Sequence, residues 1–391
     1  MYMKSYDLAV IGGGPAGSMA ALTAARLGLG VLLVERDPVI GTPVRCAEGV
    51  DDKGLREFFE PDPRWISATI TGYNLVAPDG STVAMNNEGQ NGYILDRTMF
   101  DPMIAREAEK HGAEVLTSIE AVGMSGYDGG SRAVMLRGDG GERKVRAGVV
   151  VAADGVESRA ARWAGLNTAC SLHDMETCAQ AVLEGIDIDS SAFSLFFTGQ
   201  FAPGGYAWIF PKGHDSANVG LGISGTFAKE KSPVRYLEAF VRQYFPNTSV
   251  VSRTVGGVQC SGGIKKTIAD GVMVCCDAAH MANPITGGGI INSMIAGQIA
   301  AETAEKALRN GGAIERSLRE YEKRCEKRFG RMNRLCYRVK EGIVNIRDDR
   351  LNAIACEVLK IPVEKRTPVR VLKTALIHNP KLLAVLPRLV F

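Results

Sequence analysis

Residues 6–35 limit most strongly what this chain can become. Tyr6-Asp7-Leu8-Ala9-Val10-Ile11 is an apolar run ending in Gly12-Gly13-Gly14-Pro15-Ala16-Gly17. An alanine-rich helical stretch follows from Ser18 to Leu27, and a second apolar run, Val31-Leu32-Leu33-Val34, ends in Glu35. Gly12, Gly14 and Gly17 fill the positions of a G-x-G-x-x-G turn. The first makes the tight turn, the second lets a pyrophosphate approach the backbone, and the third lets the helix pack on the strand. The helix N-terminus then turns free N–H groups and a positive dipole end toward phosphate. Glu35 can accept hydrogen bonds from an adenosine ribose. A lone glycine turn would be equally at home as a structural bend. Strand, turn, helix, strand and acid in this order point to a dinucleotide site.

The 391 residues leave room for two or three domains. A net charge of +3 gives no global field for nucleic acid. Nine cysteines, odd in number and without a C-x-x-C pair, suggest neither a disulfide framework nor a zinc site, and no metal is expected. A reducing, cytoplasmic setting is expected. No signal peptide is read. Leu8 to Ala25 is uncharged, but its glycine triplet and Pro15 argue against a membrane span.

Farther on, Gly41 to Gly49 is a Pro/Gly loop carrying Cys46, which is either a small apolar filler or a functional thiol. Residues around Ile70 to Val83 predict a hairpin about Pro78-Asp79-Gly80, and a helix is expected from Met99 to His111. Residues 119–150 predict a β-meander. Val149 to Ala153 is a buried parallel-type strand ending in Asp154-Gly155, and Val272 to Cys276 repeats that grammar before Asp277. The turn Gly287-Gly288-Gly289 then opens a helix from Ile290 to Leu308. Three strands ending at Glu35, Asp154 and Asp277 thus feed loops at one edge of one sheet. Residues 169–255 read mostly as β, with Tyr206, Trp208 and Phe210 on one face of a strand and Ala207 and Ile209 on the other. Plain core packing would give the same alternation. A basic helical stretch runs from Arg316 to Lys340, most simply a solvated face. After Glu364 no acid remains, and Lys365, Arg370, Lys373, Lys381 and Arg388 alternate with apolar pairs up to Phe391. That tail is either a structural cap or an interfacial membrane contact.

The fingerprint, the Asp154-Gly155 segment and the Asp277 to Gly289 segment together resemble the flavoproteins that include aromatic hydroxylases. Cys46-Ala47-Glu48-Gly49 and Pro203-Gly204-Gly205-Tyr206-Ala207-Trp208-Ile209-Phe210-Pro211-Lys212 more narrowly resemble geranylgeranyl reductases, in particular the archaeal digeranylgeranylglycerophospholipid reductases. The resemblance covers nearly the whole chain. One departure is Cys276, where the flavoprotein group usually has glycine before the acid.

The resemblance implies an α/β flavoprotein. A Rossmann-type FAD-binding domain would comprise residues 1–65, 94–168 and 256–315, with an inserted, mainly antiparallel β substrate domain at 66–93 and 169–255 and a basic helical region at 316–391. It implies noncovalent FAD contacted at Gly12, Gly14, Ala16, Gly17, Glu35, Cys46, Ala47, Gly49, Arg97, Ala121, Asp277, Gly289 and Ile290. It further implies saturation of geranylgeranyl C=C bonds in archaeal-type membrane lipids. Tyr206, Trp208 and Phe210 would wall the prenyl chain, and Cys46 is the candidate catalytic thiol. The proton donor is not legible; Cys46, His280 and a water all remain open. The expected partners are the prenyl lipid, a nicotinamide or ferredoxin-like electron donor and a membrane surface, with a monomeric chain. The rival readings are an oxygen-using aromatic hydroxylase and a membrane-docked electron-transfer flavoprotein.

Overall fold

A computed structural model describes residues 3–86, 89, 91–344 and 346–378. The chain divides into two compact units. One holds residues up to Val44, Arg97–Cys170 and Gln259–Arg334; the other holds Arg45–Asp96, Ser171–Val258 and the segment from Leu335.

The first unit is built on five strands lying side by side in the order Val272–Val274, Gly141–Ala152, Ser5–Ile11, Val31–Val34 and Glu114–Leu116. All four pairings are parallel. Leu8, Val10, Leu33, Val150 and Met273 are fully buried, which explains the continuous apolar runs: a parallel sheet is covered on both faces. The fingerprint helix Pro15–Arg26 packs against the helix Ile290–Arg309 and against Arg97–Lys110. Pro15 suits the first turn, where a missing N–H costs nothing. The expected meander appears as Glu120–Met124, Arg132–Gly138 and the long strand Gly141–Ala152, paired antiparallel in succession.

The second unit is built on a seven-stranded sheet in the order Ser249–Gln259, Met175–Glu184, Ser216–Ser224, Tyr206–Pro211, Ala192–Phe196, Gly72–Val76 and Thr82–Asn86. Gly72–Val76 and Thr82–Asn86 form the expected hairpin. Period-two alternation splits the sheet into two unlike faces. One face carries Ala179, Ala181, Ala207, Val219 and Leu221, and it buries Leu237 and Phe240 of the helix Pro233–Tyr244. That helix starts where the Ser232 side chain accepts a hydrogen bond from the Arg235 N–H. The other face is aromatic. A three-stranded sheet, Gly49–Asp51, Gly92–Leu95 and Ile66–Ile70, packs Ile70 and Ile94 on Phe193 and Phe210. The helix Asp348–Leu359 covers Val83 and Met85.

The basic stretch predicted as helix from Arg316 to Lys340 is two helices, Glu315–Cys325 and Arg331–Ile343, joined by a π turn at Glu326–Gly330. Arg324 pairs with Glu302 and Arg334 with Glu326, so part of its charge is met by local acids. Lys381, Arg388 and the apolar pairs near Phe391 lie outside the described residues.

Candidate functional site

Of the residues singled out from the sequence, Gly12, Gly14, Ala16, Gly17, Glu35, Arg97, Ala121, Asp277, Gly289 and Ile290 fall in the first unit. Cys46, Ala47, Gly49, Tyr206, Trp208 and Phe210 fall in the second.

In the first unit, the parallel strands end at the fingerprint. Gly12 has φ +102°, and a side chain there would also run into the Ala153 carbonyl at the end of the neighbouring strand. No other residue type meets both demands. A methyl at Gly17 would strike the Gly12 carbonyl, so this glycine sets the close seat of the helix. Gly14 is different: a side chain there would meet nothing within 4 Å. Packing does not require a glycine at Gly14; a group seated against the backbone there would. Gly14 is the N-cap and provides no side-chain cap, so the first N–H groups of the helix have no intrahelical acceptor. Glu35 ties the turn to the next strand by accepting from Gly13 N–H at 2.6 Å and from Asp37 N–H at 3.0 Å. A carboxylate has about four lone-pair sites, so capacity for a ribose hydroxyl remains.

Asp154 accepts from Ala160 N–H at 2.8 Å through Oδ2, while Oδ1 is buried with no hydrogen-bond partner among the described residues. Burial pushes its carboxyl pKa up. The sequence marked this acid only as a strand end; its unused buried oxygen adds it to the candidates. Asp277 is likewise raised by burial, with the Arg97 charge opposing. A methyl on Gly289 would lie 3.7 Å from Asp277 Oδ1, so the acid stands at the N-terminus of the helix Ile290–Arg309. Asn283 shapes that entry: its Oδ1 accepts from Ile285 N–H at 2.9 Å, and its carbonyl accepts from Gly287 N–H at 2.8 Å. Cys276 has φ +57°, a left-handed conformation, which accounts physically for the glycine usual at this position. Ala121 is buried in the strand Glu120–Met124, in the antiparallel extension. His280 also has positive φ, and its ring contacts Ser261 Oγ at 2.8 Å and the Thr168 carbonyl at 3.3 Å, the setting of a structural histidine.

In the second unit, the two motifs that were far apart in sequence meet. Asn218 donates to the Cys46 carbonyl at 3.1 Å and accepts from Trp208 Nε1–H at 3.1 Å. Cys46 Sγ accepts from Glu48 N–H at 3.2 Å. Glu48 is almost wholly buried, adopts φ +71°, and pairs with Lys212, the residue that ends the aromatic run. A methyl on Gly49 would lie 3.5 Å from Phe210. The Cys46–Gly49 loop is therefore fastened to the Tyr206–Pro211 strand at several points. Neither Asn218 nor the Glu48–Lys212 pair stood out in the sequence, although Lys212 closes the motif.

On the aromatic face, Phe193 stacks on Tyr73 with centroids 5.2 Å apart and touches Phe210 at 4.9 Å; Tyr206 meets Trp208 edge-on at 6.1 Å. Tyr206 and Phe210 are half-buried and Trp208 is buried. The Trp208 indole lies over Gly220, whose missing side chain makes room for it.

Comparison with known proteins agrees with this geometry. Residues 5–183 match the FAD binding domain family and residues 174–258 the geranylgeranyl reductase catalytic domain family. The first match and the fold define the class, an FAD-dependent flavoprotein. A digeranylgeranylglycerophospholipid reductase of Methanosphaerula palustris is 44% identical over 97% of this chain and 96% of its own. That of Methanosarcina acetivorans is 43% identical over 97% and 94%. The crystal structure of a geranylgeranyl bacteriochlorophyll reductase-like protein from Thermoplasma acidophilum superposes with a TM-score of 0.92 at 32% identity, covering 99% of both chains. A flavin-dependent brominase, at 18% identity and a TM-score of 0.74, shares the fold. The chain belongs to the digeranylgeranylglycerophospholipid reductase family.

The cofactor of this class is FAD, and the first unit fits it. The open approach at Gly14 and the uncapped helix N-terminus suit a pyrophosphate, and the unused Asp154 oxygen is an acceptor for a hydroxyl or N–H donor of the same cofactor.

Proposed function

We propose that the protein saturates the isoprenoid C=C bonds of geranylgeranyl chains in archaeal-type glycerophospholipids. The observation that carries this reading is the two-faced sheet of the second unit. Its Ala207 face is spent on the core; on the opposite face Phe210 packs in part on the three-stranded sheet, and half-buried Tyr206 and Phe210 with buried Trp208 offer an aromatic edge to an apolar ligand. The names of the relatives supply the lipid class.

An isolated alkene has no carbonyl to polarise, so it needs a hydride equivalent and a proton delivered together. Bound FAD, once reduced, supplies the hydride equivalent. The residues of the chain bind, orient and exclude water. The fingerprint glycines and the N-terminus of the helix Pro15–Arg26 would receive the pyrophosphate, and Glu35 would receive the ribose. Arg97, Ala121, Asp277, Gly289 and Ile290 complete the cofactor contacts. Tyr206, Trp208 and Phe210 hold the prenyl chain in register. Cys46, with Ala47 and Gly49, belongs to the reacting face, and its fastening by Asn218 and Glu48 favours a fixed thiol over a mobile one. An external donor, a nicotinamide or a ferredoxin-like protein, restores the electrons.

No helix among the described residues is long and apolar enough to cross a membrane. Exposed Val369 and Ile377 stand with Arg370 and Lys373 on the helix Pro368–His378, which supports peripheral contact with an anionic lipid surface. Co-sedimentation with anionic vesicles should weaken with salt; equal binding to neutral vesicles would reject that contact. The reaction is tested by anaerobic incubation of dithionite-reduced protein with a digeranylgeranyl lipid and mass spectrometry. Gains of two hydrogens per double bond support it. Unchanged lipid, or product formed only with oxygen, refutes it.

A further inference from the structure

We propose that Glu176 is the proton donor of this reduction, delivering H⁺ to the alkene carbon that does not receive the hydride. The inference rests on the reaction proposed above.

Glu176 lies near the start of the strand Met175–Glu184, on the same face as Cys178. Cys178 and Tyr206 both pair with Gly222 on the strand between them, so Glu176 shares the aromatic face with Tyr206 and Trp208. The backbone beside it is bare. A methyl on Gly205 would lie 3.0 Å from Glu176 Oε2, and one on Gly222 would lie 3.8 Å from it. That oxygen is buried and has no hydrogen-bond partner among the described residues. A buried carboxyl oxygen left without a partner costs stability, so its presence on this face calls for a use. A methyl on Gly222 would also lie 3.3 Å from Cys178 Sγ, so the carboxyl and the thiol stand over the same bare backbone.

The charged groups around Glu176 come from two elements. Asp174 and His173 precede it, and Lys340 and Glu341 come from the helix Arg331–Ile343. Lys340 Nζ stands 3.6 Å from Asp174 Oδ1, and His173 Nε2 stands 2.8 Å from Glu341 Oε1. Burial dominates over the attraction of Lys340 and His173, raising the Glu176 pKa to about 7. Such a carboxyl holds its proton near neutrality and still releases it readily. Cys178, the other acid on this face, is pushed up to about 12 and keeps its proton.

The step balances. The alkene gains two electrons as hydride from reduced FAD and one proton from Glu176. Two C–H bonds form, the π bond breaks, and the Glu176 carboxylate recovers a proton from water. Dithionite supplies the electrons in the assay.

The test compares FAD-loaded wild type, Glu176→Gln and Glu176→Asp. Glu176→Gln should keep its flavin and lose roughly 10²–10⁴-fold in lipid reduction, the usual contribution of general acid catalysis. The wild-type rate should fall as pH rises through about 7, while the residual rate of Glu176→Gln stays flat there. Glu176→Asp should recover part of the rate. Infrared titration without substrate should give a protonated-carboxyl band near neutral pH in the wild type that is missing from Glu176→Gln. If the amide variant folds poorly, the wild-type pH profile and the infrared comparison with Glu176→Asp decide. An active wild type with an undiminished Glu176→Gln, or no carboxyl band lost on substitution, overturns the assignment alone. An FAD-loaded wild type that reduces no lipid overturns the reaction and the assignment together.

Discussion

Replacing Gly220 by alanine probes how the aromatic face is held. The new methyl would lie 2.6 Å from Trp208 Cε2 and 2.8 Å from Gln180 Cβ, both inside van der Waals contact. Overpacking of this kind costs about 1–3 kcal/mol. Displacing the indole also strains its 3.1 Å bond to Asn218, worth about 1 kcal/mol. We expect Gly220→Ala to lose about 2–4 kcal/mol. Trp208→Ala should lose about 3–5 kcal/mol by opening a cavity. In the double variant the indole clash is gone and only the Gln180 contact remains. The two costs should therefore fall short of additivity by about 1–2 kcal/mol. Urea unfolding of the FAD-loaded protein, followed by circular dichroism, measures all three. If the indole registers the prenyl chain, Trp208→Ala should also leave more partly reduced lipid. Gly220→Ala as stable as the wild type, or strictly additive costs, would refute the packing argument. Normal, fully saturated product from Trp208→Ala would remove the indole from the substrate wall.

Four further outcomes are expected. Glu35→Arg removes the acceptor of the Gly13 and Asp37 N–H groups, each charge-assisted bond being worth about 1.5–3 kcal/mol, so FAD retention on gel filtration should drop at least about tenfold. Lys212→Met removes a cation from the buried Glu48 carboxylate, and thermal unfolding should report a loss of about 3–5 kcal/mol; a neutral result would mean that the other contacts of Glu48 hold it. Cys46→Ala should retain FAD and lose most alkene reduction, whereas full turnover would return this thiol to a packing role. The raised Glu176 pKa means that the folded state binds this proton more tightly than the unfolded chain, so its effect on stability is nil below about 4.5 and grows unfavourable as pH rises to about 7. Glu176→Gln should therefore gain on the wild type over that window, by on the order of 3 kcal/mol at most, and a pH-independent difference would contradict the shift.

The parts legible in the sequence were those whose signal is local. Gly12, Gly17 and Glu35 belong to one βαβ unit, so their spacing alone places them at the same strand ends. The runs ending at Asp154 and Asp277 were readable because parallel strands are apolar throughout. The alternation of Tyr206, Trp208 and Phe210 gave two faces, but which face meets the core depends on register with Ser216–Ser224 and on the helix Pro233–Tyr244. The same register turns Gly220 toward Trp208 and Gly222 toward Glu176, and no pattern in the chain announces either. Gly297 was equally silent: a side chain there would strike the Ala16 carbonyl, and its absence lets two helices of the first unit cross closely. The second basic helix supplied Lys340 beside Asp174, which charge spacing along one helix could not anticipate.

The central claim is that a prenyl double bond takes the electrons of the reduced cofactor. Anaerobic stopped-flow mixing of the dithionite-reduced, desalted holoprotein with digeranylgeranyl lipid tests it most directly. The account predicts that oxidised-flavin absorbance returns without oxygen, one two-electron equivalent for each double bond lost. Flavin that stays reduced with the lipid and reoxidises only when oxygen is admitted would contradict it.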